Sequence, residues 1–234
     1  MKLKNLIETA IRRTADTAII DGALSSKEEE LFRQSDSADY TISDHGVTSL
    51  NGCPREISDN FYADHNLLKN LIGGPDYVGG TYDVRYNKLT SLEGCPKRVT
   101  SFNCCSNKLK DLKHAPIYAS GDFFCSSNLI TSLEFAPTTT VRHFKCVNNR
   151  LEDLKDIHKH IKKVGGEFCC YDNPIKSHIL GLMLIEIGEA IRTWLGDGHD
   201  VDAILNKWKN QGRKGALGCQ RELIEAGYEE LAQL

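Results

Sequence analysis

From Tyr40 onward the chain repeats one arrangement of apolar and polar positions roughly every twenty residues. Asn66, Asn87, Asn107, Asn128, Asn149 and Asn173 mark its phase, at intervals of 21, 20, 21, 21 and 24 residues. Five residues ahead of each stands an aromatic: Phe61, Tyr82, Phe102, Phe123, Phe144 and Phe168. Three ahead stand Ala63, Val84, Cys104, Cys125, Cys146 and Cys170. Two after come Leu68, Leu89, Leu109, Ile130, Leu151 and Ile175, and five after come Leu71, Leu92, Leu112, Leu133 and Leu154. An earlier unit carries Tyr40, Ile42, Val47 and Leu50, with His45 in the asparagine place. Pro54, Pro75, Pro96, Pro116 and Pro137 share a single phase of the same unit.

This pattern predicts short strands and stacked coils. The alternation aromatic-x-small has a period of two, so both side chains face one side of a strand. Equivalent strands of successive coils then pair in a parallel sheet at about 4.8 Å. The asparagine amide satisfies turn backbone that the coil buries. A small residue followed by proline makes a narrow extended segment on the opposite wall. One coil buries too little to stand alone, so the units must stack.

The unit resembles the leucine-rich-repeat pattern L-x-L-x-x-N-x-L in its short form, about 20 to 22 residues per coil, familiar from bacterial effector proteins. The wording "LTSLEGCPKRVTSFNCCSNKL" is also similar to leucine-rich-repeat proteins of tailed bacteriophages. The resemblance implies an α/β solenoid with a parallel β-sheet on its concave face. It also implies a phage protein acting on a host factor in the host cytoplasm.

The flanks read as helical caps, because a stacked core needs lids at both ends. In residues 1–37, Leu3, Leu6, Ile7 and Ile11 share a helical face, and Ser26 with Glu29 has capping-box spacing. The solenoid is assigned to 38–175 and a second cap to 176–234. In that cap Leu180, Met183, Leu184, Ile187, Ile191 and Trp194 fall at helical spacing. Two shorter helices are expected near Val201 to Lys209 and Ala216 to Leu234.

Composition narrows the chemistry. The net charge is −3 and charged residues make up 26%, as in an ordinary soluble protein. The start lacks the continuous apolar centre of a secretory signal. Nine cysteines, an odd number without an export signal, point to reduced thiols in a cytoplasm. Six of the nine occupy repeat positions held elsewhere by Ala, Val or Gly. A ladder gives a row rather than the converging ligands a metal wants, so the thiols read as packing, with no metal and no cofactor expected. His158 and His160 lie two apart on a helix-spaced insertion and do not share a ligand direction. No phosphate loop, nucleophile elbow or Cys–His pair is present, so no catalysis is expected.

What remains is the outward face of the strands. Tyr62, Asp83, Arg85, Tyr86, Phe124, His143, Lys145 and Tyr171 are the candidate partner-binding residues, expected to be exposed. Exposed Tyr, Phe and Arg are the types enriched at interface centres. Asp64, Asp83, Asp122, Glu167 and Asp172 against Arg85 and Lys145 leave this face net acidic, which disfavours nucleic acid there. The expected partner is another protein. The alternative is a nucleic-acid binder using the basic patches at 155–163 and 207–214.

Overall fold

The structure is a computed structural model that describes residues 39–196 and 200–233. Its chain winds into a parallel-strand β-solenoid of about seven turns with few helices. The odd-numbered strands form the main sheet: β1 (Tyr40–Thr41), β3 (Phe61–Tyr62), β5 (Thr81–Asp83), β7 (Ser101–Asn103), β9 (Phe123–Phe124), β11 (Phe144–Lys145), β13 (Phe168–Cys169) and β15 (Ile191–Arg192). They pair in parallel in sequence order, so the aromatics of consecutive coils are direct neighbours. Tyr40, Phe61, Tyr82, Phe102, Phe123, Phe144 and Phe168 form one buried stack with centroids 4.8 to 6.0 Å apart. Burying each such ring contributes on the order of 2 kcal/mol.

The wall after the prolines is extended, and it carries a second set of parallel strands that the sequence pattern did not reveal. Here β6 (Arg98–Val99), β8 (Tyr118–Ala119), β10 (Thr139–Thr140), β12 (Lys163–Val164) and β14 (Glu186–Ile187) form a five-stranded sheet. The earlier β2 (Glu56–Ile57) pairs with β4 (Tyr77–Val78) alone. Each strand is two residues long, one outward and one inward. The inward column is Ile57, Val78, Val99, Ala119, Thr140, Val164 and Ile187, all buried.

The asparagines bind successive coils together. Asn128 Oδ1 accepts the Leu109 N–H of the preceding coil at 3.0 Å. Its Nδ2 donates to the carbonyls of Cys104 in that coil and of Cys125 in its own. Asn87, Asn107, Asn149 and Asn173 repeat this arrangement. The residue before each asparagine is left-handed: His65, Tyr86, Ser106, Ser127, Asn148 and Asp172, with φ of 52° to 56°. A second polar ladder follows each corner. Ser49, Asn70, Ser91, Asp111, Ser132 and Asp153 each accept the backbone N–H two residues on, in local side-chain turns.

Residues 176–194 depart from expectation. The helix expected through Leu180, Met183, Leu184, Ile187, Ile191 and Trp194 is instead a 3-10 turn (Ile179–Leu184) followed by β14 and β15. The parallel ladder therefore continues past 175 to Arg192. The segment Ile179–Met183 is buried on every side, which leaves no polar helix face. The edges of the preceding coil supply backbone partners that outweigh helix propensity. Gly188 packs so closely on the carbonyl of Gly165 that a Cβ there would lie 1.9 Å from it.

The longer sixth coil holds one helical turn, α1 (Ile157–His160). After it come α2 (Asp200–Trp208) and α3 (Gly212–Glu225), the latter ending short of the expected Leu234. Two asparagines close to α2 meet the last strands. Asn206 accepts the N–H of Ile191 and donates to its carbonyl, and Asn210, just beyond the helix, does the same for Ile187. The helical cap expected in residues 1–37 lies outside the described residues.

Candidate functional site

The outer face of the main sheet gathers most of the candidate residues, in three states. Tyr62, Phe124, Lys145 and Tyr171 are half-buried on it. Lys145 Nζ sits 5.4 Å from the centre of the Phe124 ring, a cation–π contact. Tyr171 stacks on Trp194 at 3.7 Å. Trp194, expected on a buried helix face, is 48% exposed.

Tyr86 is exposed, but for a reason strand alternation does not provide. It shares parity with the buried Tyr82 and Val84. Its left-handed backbone (φ 52°) turns the ring outward, where it stacks on His65 at 4.4 Å. A bulky residue in this conformation costs free energy that Asn, Asp or Gly avoids. Trp194 occupies the same conformation with φ 53°.

Two candidates do structural work instead. Asp83, expected to be exposed, is only 5% so. It accepts the Arg85 N–H, is approached by Asn103 Nδ2 at 3.4 Å, and faces the Arg85 guanidinium at the same distance. Burial pushes its carboxyl above the ordinary aspartate range, against the lowering by Arg85. His143 is half-buried, and its Nδ1 accepts the backbone N–H of Glu167 at 3.1 Å. It thereby extends a column in which Asp39, Asn60, Ser101 and Asp122 each accept the N–H of the next coil. Glu189 Oε2 lies 4.0 Å from the same nitrogen. Across the face Arg192 pairs with Glu167 at 2.7 Å and holds that carboxyl below its usual range.

All nine cysteines are free, and eight are buried, Cys105 being intermediate. Burial raises every thiol, Cys169 to about 11 and Cys219 to about 12. Such thiols are protonated and weak as nucleophiles or ligands. Among the described residues, one group brings metal-type ligand atoms together: Asp44, Asp64 and His65, within 4.8 Å of one another. Within it Asp64 accepts from Ser43 and bonds His65 Nδ1 at 2.8 Å, so this carboxylate is already satisfied.

The basic patches are largely engaged. Lys159 pairs with Asp156, Lys163 with Glu186 and Lys207 with Glu222. Lys162 and Lys209 donate to backbone carbonyls of His158 and Ile187. Among the described residues no helix is long and apolar enough to cross a membrane. No protein-family model and no curated protein matches the chain.

Sequence reasoning missed His65 and Trp194. Trp194 was within reach: Ile191 and Thr193 follow the glycine Gly188 as Phe168 and Cys170 follow Gly165. His65 becomes visible only once the left-handed corner turns Tyr86 toward it.

Proposed function

We propose that the chain is a non-catalytic binding module of the short leucine-rich-repeat kind, which holds a partner protein on the outer face of its main sheet. Helices α2 and α3 then serve as its terminal lid. The observation that carries the reading is Tyr86. A tyrosine held in left-handed backbone, half-exposed and stacked on His65, is costly for the fold alone. Strained outliers of this kind cluster where a side chain must be presented. Phe124 under Lys145 and Tyr171 on Trp194 extend a rigid aromatic and cationic surface from the same sheet. Rigid side chains lose little entropy on association. By resemblance the partner is a bacterial host factor. The engaged lysines of the basic patches give the nucleic-acid reading no comparable support.

The test is affinity capture from bacterial lysate with mass spectrometry, comparing the wild type with Tyr86→Ala/Phe124→Ala. The double variant is expected to lose the captured protein while keeping its circular dichroism. Full capture by a folded double variant would move the binding surface elsewhere. Salt-sensitive retention of nucleic acid alone would replace the reading.

A further inference from the structure

On the opposite side of the solenoid, three departures from the repeat converge on one groove of about 410 Å³. The first is at the corner before the proline. Coils one to three place Gly52, Gly73 and Gly94 there in left-handed backbone. The next two coils place His114 (φ 68°) and Phe135 (φ 66°), and both line the groove. Later corners carry Asp156 and His178. Asp and His are enriched in this conformation, whereas a bulky aromatic is an outlier. Phe135 is also 46% exposed, so its ring gains little from burial.

The second departure is Ile117, 54% exposed at a position where other coils carry Asp76, Lys97 and Thr138. The third is the extra helical turn α1, which supplies Lys159 and His160 as a wall. None of the three is required by stacking, since neighbouring coils manage without them.

The lining of the groove combines apolar and cationic side chains. Ala115, Ile117, Phe135 and Ala136 form the apolar part. Lys97 and Lys159 also line it, and Lys113 Nζ lies 5.8 Å from the Phe135 ring. Lys97 and Lys113 have no carboxylate partner among the described residues, while Lys159 shares Asp156 at 2.9 Å. Glu134 is the one carboxylate of the lining.

We propose that this groove binds a small amphipathic anion, its aromatic or aliphatic body against Phe135 and Ile117 and its acidic group toward Lys97 and Lys159. The size lies within the range of small-molecule sites, and an apolar floor with a few polar groups to orient the ligand is their usual form. An exposed cation beside an aromatic face suits an anionic head next to an apolar body. The site is independent of the sheet face assigned to the partner protein.

The test uses the full chain and 8-anilinonaphthalene-1-sulfonate, an aromatic sulfonate that fluoresces on leaving water. Saturable binding at one site per chain is expected. Its uncharged analogue N-phenyl-1-naphthylamine should bind at least tenfold more weakly. Phe135→Gly relieves the left-handed strain, so it should melt no lower than the wild type, yet lose tenfold or more in dye affinity. Ile117→Lys and Lys97→Glu should weaken binding similarly, while Leu217→Ser, which removes a leucine 60% exposed on α3, should not. Absence of saturable binding, or equal affinity in folded Phe135→Gly and Ile117→Lys, would overturn the proposal.

Discussion

The hydroxyl of Tyr82 borders the space a side chain on Gly74 would enter: a Cβ there would stand 2.9 Å from Leu50 Cδ1, 3.0 Å from the Leu71 carbonyl oxygen and 3.2 Å from the Tyr82 oxygen. Other coils place Cys53, Cys95, Ala115 and Ala136 at this position, and there the column aromatic that follows is Phe61, Phe102, Phe123 or Phe144. The Tyr82 hydroxyl is fully buried and has no hydrogen-bond partner among the described residues. Tyr82→Phe should therefore raise stability by about 1 kcal/mol, the desolvation of an unpaired polar group less a small void. Gly74→Ala should cost more in the wild type than in Tyr82→Phe. Urea denaturation of all four members of the cycle checks both claims, and strict additivity would show that the two sites do not interact.

Thr140 offers a cleaner case. It is fully buried in the inward column of the second sheet, between Ala119 and Val164, and its hydroxyl has no partner among the described residues. Valine has nearly the same shape and no polar group to desolvate. Thr140→Val should stabilise by about 1 kcal/mol. A lower melting temperature would show that the hydroxyl has a partner.

Asn128→Ala should be destabilising, because it strands the Leu109 N–H and takes one of two amide donors from the carbonyls of Cys104 and Cys125, which keep Asn107 and Asn149 respectively. One stranded buried N–H costs roughly 1–3 kcal/mol, so the expected loss is about 2 kcal/mol. The neighbouring Ser127→Gly should be neutral or stabilising, since Ser127 is left-handed with φ 56°. Equal denaturation midpoints for the two variants would contradict this account of the ladder.

The thiols predict a pH profile. A folded-state value above the unfolded one means that the folded chain keeps its protons longer. Stability is then complete below the unfolded value near 9.0 and falls as the pH rises toward about 11 for Cys169 and about 12 for Cys219. Each raised thiol contributes a slope of up to about 1.4 kcal/mol per pH unit in that window. Thermal melts between pH 8 and 11 should decline progressively; a flat profile would show that the thiols are not buried. At neutral pH a disulfide-exchange reagent should label Cys105 first, and the other eight only on unfolding.

The inward columns were legible in the sequence because every coil repeats them, and their burial follows the pattern from Tyr40 to Phe168. The second sheet was not, since two-residue strands such as Arg98–Val99 are too short to display a period. Residues 179–192 were misread because an apolar run fits helical spacing as readily as a coil docked on a preformed edge. On the outer face, alternation predicts Tyr62, Phe124 and Lys145 exposed, whereas their neighbours across the sheet leave them half-buried. It could not foresee that Asn103 and Arg85 would cover Asp83, or that a left-handed corner would swing Tyr86 outward. The polar ladder from Ser49 to Asp153 was present in the sequence, yet Ser, Asn and Asp do not look alike until their shared backbone bond is seen.

The asparagine ladder also gives the solenoid a direction in time. Each amide reaches backward: Asn128 serves Leu109 and Asn149 serves Ile130, so a coil's corner stays unfinished until the next coil arrives. A chain made from its N-terminus meets its templates in the order in which they are needed. Every growing end displays one unmet row of backbone groups until Asn206 and Asn210 satisfy Ile191 and Ile187. Synthesis halted before those two residues leaves a protein that is folded behind its last turn and adhesive at it.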